Sequence, residues 1–251
     1  MSAIMNDNPD NEFDRSTEQV PGKSRYIGFG EFFALYDSVS YANSRGWLLN
    51  GELTLTFLSD EDESLKAFQK FTARYRSWCR HHGFPCVYTY VWERPPNTPL
   101  HVHLQLHMPD RGHLMARRWV AKSIELAGSN PSSPFKSWKF SLGKRSSVRR
   151  QWYWFRYITK GIDPFMGVAS HHRELAYAVA RHLGIGGRAQ GTLGIKRTGR
   201  SHAISDQAIK VAILKGEYRV LHELLNEVSF GEFWSDFWLQ QYHSRKMTRL
   251  F

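Results

Sequence analysis

The hydrophobic period of the chain changes several times, and the changes delimit its elements. From Glu52 to Phe57 apolar and polar residues alternate (Glu-Leu-Thr-Leu-Thr-Phe), which predicts a half-buried strand within Leu48–Leu58. Ser64–His81 then switches to a helical period. Leu65, Phe68, Phe71, Tyr75 and Trp78 share a face, Lys and Arg lie opposite, and Gly83 marks the stop. Two more strand-like runs, Cys86–Glu93 and Leu100–Met108, flank the turn-forming residues Pro95, Pro96 and Asn97, which predicts a hairpin. Glu31–Tyr41, Leu114–Leu126 and Gln151–Lys160 read as helices, the last ended by Gly161 and Pro164, and Ser137–Leu142 reads as a further strand.

Strands joined by a hairpin and interleaved with amphipathic helices predict an α+β fold, an antiparallel central sheet with helices packed on it. This domain is expected over residues 26–165. Residues 1–25 are polar and carry few large apolar groups, so they are expected to be disordered. The pattern changes again beyond 165. A Gly-rich basic stretch, Gly184–Arg200, precedes helical patterns at Asp206–Val228 and Phe230–Tyr242, so residues 166–251 are expected to form a basic, mostly helical C-terminal extension.

Charge adds a partner to this picture. Across 251 residues, 34 Lys and Arg face 23 Asp and Glu, a net +11, and the acidic residues 1–20 leave a body at +15. A body this basic points to a polyanion, most simply nucleic acid. Cys79 and Cys86 are the two cysteines, too few for a disulfide framework. No stretch reaches the ~18 apolar residues of a membrane span and the N-terminus lacks a signal-peptide core, so a cytoplasmic protein without a membrane partner is expected.

The candidate chemistry lies in the hairpin. In Leu100-His101-Val102-His103-Leu104 the two histidines are two residues apart, so on a strand both project from one face, about 6.6–7 Å apart along it. The hairpin would bring Glu93 beside them. Two imidazoles and a carboxylate, with positions left open, suit a divalent ion such as Mn²⁺ or Mg²⁺. A single histidine in a strand is more often structural, so the third residue matters. On the helix Gln151–Lys160, residues Tyr153, Tyr157 and Lys160 can share a face. A tyrosine phenolate can attack a phosphodiester and form a covalent intermediate, with a lysine beside it to stabilise charge.

Together these segments resemble the HUH endonucleases, the replication initiators of rolling-circle plasmids and single-stranded DNA viruses. Leu53–Phe57 resembles the first motif of that family, Leu100–Leu104 its His-hydrophobic-His motif, and Tyr157-Ile158-Thr159-Lys160 its Tyr-x-x-Lys motif. The gap from Glu93 to His101 is similar to the Glu-ligand spacing of viral initiators. The resemblance spans roughly residues 48–165. It implies metal-dependent nicking and joining of single-stranded or hairpin origin DNA by an endonuclease and nucleotidyltransferase that forms a 5′-phosphotyrosine. Glu93, His101 and His103 would hold the metal, Tyr157 would attack and Lys160 assist.

Two departures qualify it. Tyr153 and Tyr157 form a Tyr-x3-Tyr pair like that of two-tyrosine phage initiators, but Phe155-Arg156 replaces their small residue and lysine, which leaves open whether one tyrosine reacts or two. No Gly-x4-Gly-Lys-Ser/Thr motif occurs, Trp138 standing where its first glycine would precede Gly143-Lys144. A host helicase and polymerase are therefore the expected partners. Arg149, Arg150, Lys196, Arg197 and Arg200 are expected to contact phosphates, and Trp152 or Trp154 to stack bases. Three alternatives remain: a non-catalytic RRM-like nucleic-acid-binding protein, a phosphoesterase that uses the His pair without a covalent tyrosine, and an HUH transposase or relaxase.

Overall fold

The computed structural model describes residues 25–108, 113–127, 135–142, 148–163, 180, 184–185 and 187–219. The expected disorder of residues 1–25 and the helical patterns beyond 219 lie outside these residues, Arg25 apart.

Five strands form one antiparallel sheet in the order β4-β1-β3-β2-β5. They are β1 (Gly51–Phe57), β2 (Tyr88–Glu93), β3 (His101–Leu106), β4 (Phe135–Leu142) and β5 (Thr198–Arg200). The helices are α1 (Phe29–Ser44), α2 (Glu61–His81), α3 (His113–Ala127), α4 (Val148–Ile158) and α5 (Asp206–Leu214). An α+β fold with helices on an antiparallel sheet is thus present as the periodicity predicts, with each predicted helix or strand of the 26–165 segment within a few residues of its expected bounds.

Alternation along the strands sorts the two faces. Leu53, Leu55 and Phe57 of β1, Trp92 of β2 and Val102, Leu104 and Leu106 of β3 pack with α2 and α3 in one core. Trp92 is fully buried there, against Phe57 and Phe68 with ring centres 5.2 Å away in both cases. Burying each such side chain contributes about 2–3 kcal/mol. The residues of opposite parity, Glu52, Thr54, Glu93, His101, His103 and Gln105, are polar and turn to the other face. That side is roofed by α1, α4 and α5, whose own core centres on Phe32, Tyr36, Trp152 and Phe155.

Local chemistry fixes the helix ends. Asp60 caps α2 by accepting from Glu63 N at 2.9 Å. Its first turn is acidic and its last basic, as the helix dipole favours. Gly83 at φ +67° follows the helix end, a left-handed position where glycine carries no Cβ penalty. In the hairpin loop Asn97 adopts φ +59° and Thr98 N donates to Pro95 O at 3.1 Å; asparagine tolerates this conformation better than most residues.

Part of the basic Gly-rich stretch does more than the pattern suggested. Thr198–Arg200 pairs with Thr89–Val91 of β2 and extends the sheet. Gly199 lies against the Tyr90 ring with no room for a Cβ. At the other end of the domain Ile27 bridges Ile162: Ile27 N donates to Gly161 O at 2.6 Å, and Asp163 N to Ile27 O at 2.9 Å.

Candidate active site

Register alone assembles the first part of the site. In the β2–β3 ladder Glu93 is paired directly with His101, and Val91 with His103, so the carboxylate and both imidazoles emerge side by side on the polar face. Their ligand atoms all lie within 4.8 Å of one another. Glu93 Oε2 is 3.3 Å from His101 Nε2 and 3.4 Å from His103 Nε2.

The outer nitrogens of both rings are anchored. His101 Nδ1 donates to the Pro99 carbonyl at 3.0 Å, which leaves the Nε2 lone pair facing the cluster. Thr54 Oγ1 lies 2.9 Å from His103 Nδ1, and with the hydroxyl accepting, Nε2 again carries the lone pair. Such outer contacts orient the ligands of metal sites. His103 Nε2 is buried and makes no hydrogen bond, its approach to Glu93 being poorly aligned. A buried nitrogen with a lone pair aimed between two other donors is what a divalent ion satisfies, so this donor set fits one.

Electrostatics agrees with that role. Burial lowers the His103 pKa and keeps the ring neutral, outweighing the Glu93 charge that would raise it. Burial would raise the Glu93 carboxyl, yet the facing His101 and His103 rings and Lys160 outweigh it and hold Glu93 well below the usual carboxylate range. Because His103 itself is held neutral, we attribute the positive charge acting on Glu93 to Lys160. Its Nζ donates to both carboxylate oxygens, at 2.7 and 2.6 Å.

The helix α4 forms the roof. Gln151 fixes it: Oε1 accepts from Leu49 N at 2.8 Å and Asn43 Nδ2 at 3.0 Å, and Nε2 donates to Asn43 Oδ1 at 2.8 Å. From the sheet below, Gln105 Nε2 donates to Gln151 O at 2.9 Å. This seating sets Tyr157 against His103, ring centres 5.4 Å apart, and stacks it on Trp154 at 4.8 Å. Lys160 Nζ stands 4.3 Å from the centre of the same ring. The Tyr157 side chain is 43% exposed and Tyr153 63%, so both are open to a large ligand. Burial, then the Glu93 charge, push the Tyr157 phenol above its ordinary pKa. Lys160, engaged with Glu93, does not reverse that.

Residues 50–162 match the family model of replication-associated proteins of the ORF2 type. The matched segment runs from the start of β1 to the bridge beyond α4 and so contains all three motifs and the whole cluster. This segment belongs to the ORF2-type replication-associated proteins. No curated protein and no solved structure matches the chain. Membership places the protein with rolling-circle, HUH-type replication proteins, as the motifs resemble, and implies origin DNA as a partner. Among the described residues no helix is long and apolar enough to cross a membrane.

The basic residues of this replication-associated protein divide. Lys196 is exposed. Arg150 is half-exposed and pairs with Glu52 at 3.0 Å, and Arg200 pairs with Asp206. Arg197 is not placed for phosphate contact. It is buried, donates to Trp92 O at 3.0 Å and to the Gly191 carbonyl, and ties β5 to β2. The side chain of Arg149 lies outside the described residues. Trp152 is buried in the core against Tyr36 and is not available to stack bases, whereas Trp154 backs Tyr157. Residue-by-residue reading missed Thr54, Gln105 and Gln151 as supports of the site. The polar phase of β1 and β3 held the signal for the first two, but only the strand register reveals what they touch.

Proposed function

We propose that the protein is a metal-dependent endonuclease that nicks and rejoins single-stranded DNA through Tyr157, initiating rolling-circle replication of a plasmid or phage with a host helicase and polymerase. The observation that carries this is the contact of Tyr157 with His103, on a helix that also delivers Lys160 to the metal-ligand candidate Glu93. A nucleophile, a cation and a ligand set occupy one small region.

The chain's residues divide the work. Glu93, His101 and His103 would hold Mn²⁺ or Mg²⁺, which supplies positive charge to a non-bridging phosphate oxygen. Trp154 behind and His103 beside fix the plane of the Tyr157 ring. The phenol oxygen attacks phosphorus, the P–O3′ bond breaks, and the phenol proton is balanced by protonation of the departing 3′ oxygen. The product is a 5′-phosphotyrosine and a free 3′-hydroxyl, and rejoining reverses the step. Lys160 fixes the Glu93 carboxylate and lies over the Tyr157 ring, where its charge favours negative charge developing nearby.

The test is an SDS-resistant adduct between the full chain and a labelled single strand in Mn²⁺. Tyr157→Phe removes one oxygen and should abolish the adduct, with Tyr153→Phe retaining the first cleavage. Peptide mapping that finds DNA on Tyr153, with Tyr157→Phe still active, would reverse the assignment. A wild-type chain that binds strands without any adduct would sink it.

A further inference from the structure

The helix α4 carries one spacing twice. Lys160 follows Tyr157 by three residues and lies over its ring, and Arg156 follows Tyr153 by three, its guanidinium carbon 5.8 Å from that ring's centre. The two cations are differently engaged. Lys160 is neutralised by Glu93. Arg156 is exposed and has no acidic partner among the described residues.

Between them opens a cavity of about 230 Å³, lined by Tyr153, Arg156, Tyr157, Lys160, Gly184 and Ile185. No carboxylate lines it. Gly184 has φ +65°, and a Cβ there would sit 3.5 Å from Arg156 Nη1. Glycine therefore suits the left-handed backbone and keeps bulk away from the guanidinium. Tyr153 and Tyr157 are one turn apart, about 6 Å along the helix, a step of the same order as one nucleotide of a stretched strand.

We infer that this cavity is a subsite for a second phosphodiester of the bound strand, the linkage next to the one Tyr157 attacks, with Arg156 as its phosphate-binding residue. A guanidinium fork matches phosphate oxygens in geometry and charge, and this one is not occupied by a carboxylate. The exposed Tyr153 ring offers a flat apolar surface to the attached nucleoside. The site is open on the side where the tyrosines meet solvent, so a strand can cross both. The choice of linkage rests on the reading of Tyr157 as nucleophile; the existence of the subsite does not.

Binding without cleavage separates the two. The full chain in EDTA is titrated with labelled single strands in which one neutral methylphosphonate linkage is moved position by position, and anisotropy reads affinity. In the wild type one position should weaken binding several-fold. Arg156→Ala should bind the all-phosphate strand more weakly by a similar factor, become indifferent to that position, and show a log–log salt slope smaller by about 0.7. Arg156→Lys should recover part of the affinity. A methylphosphonate profile unchanged in Arg156→Ala, or one with no sensitive position in the wild type, overturns the subsite. Loss of adduct formation with this profile intact would overturn only the nuclease reading.

Discussion

Three donor atoms and one ammonium decide the site at the scale of single residues. Glu93 is buried and ionised because Lys160 faces it, and His103 is buried and neutral because nothing pays its charging cost. These are the protonation states in which both coordinate a cation. We therefore expect nicking to vanish in EDTA and to return with Mn²⁺ or Mg²⁺. His101→Ala combined with His103→Ala should abolish it while circular dichroism stays close to wild type; full cleavage in chelator would remove the metal from the scheme. His-x-His and Tyr-x-x-Lys were legible in the sequence because strand and helix periods fix which side chains share a face. That Lys160 binds Glu93 was not, since it depends on how α4 lies across the sheet.

At the scale of elements, the roof helix is held through Gln151, whose amide serves Asn43 and Leu49 N while its carbonyl serves Gln105. Gln151→Ala would leave buried groups on α1 and on the following segment without partners, each costing about 1–3 kcal/mol. We expect a total loss of about 2–4 kcal/mol in urea unfolding, and a loss below about 0.5 kcal/mol would mean that α4 is seated by its apolar contacts alone. The sequence displayed α2, β1 and the hairpin plainly because each has a sustained period. It did not display β5. Three residues, Thr-Gly-Arg, are too short to show alternation, and their pairing is set by a close approach to Tyr90 and by Arg197, whose charge argued for the surface. Arg197 is instead buried through hydrogen bonds to two carbonyls, a partnership visible only in the assembled sheet.

Across the whole molecule charge sets two further expectations. Single-strand binding should weaken steeply with salt, by a log–log slope of about −0.7 for each phosphate contacted, whereas a flat dependence would give the basic surface another purpose. Stability should also depend on pH through Asp37 on α1. Burial, and then the Asp206 charge, push its carboxyl up to about 7 against the opposing pull of Arg200, compared with about 3.9 in an unfolded chain. The folded state thus holds this proton more tightly, so stability falls as pH rises from about 4 to about 7 and gains nothing back above that. Asp37→Asn should raise Tm more at pH 8 than at pH 5; an equal change at both would clear Asp37 of this role. One consequence of the way α4 is tied is mechanical. Gln151 fastens the helix near its beginning, and the Ile27–Ile162 bridge grips the chain just past its end. Tension from a strand joined to Tyr157 would enter the protein between these two moorings. The load would pass into α1 and the sheet from both sides, so the helix would resist being peeled away by the DNA it holds.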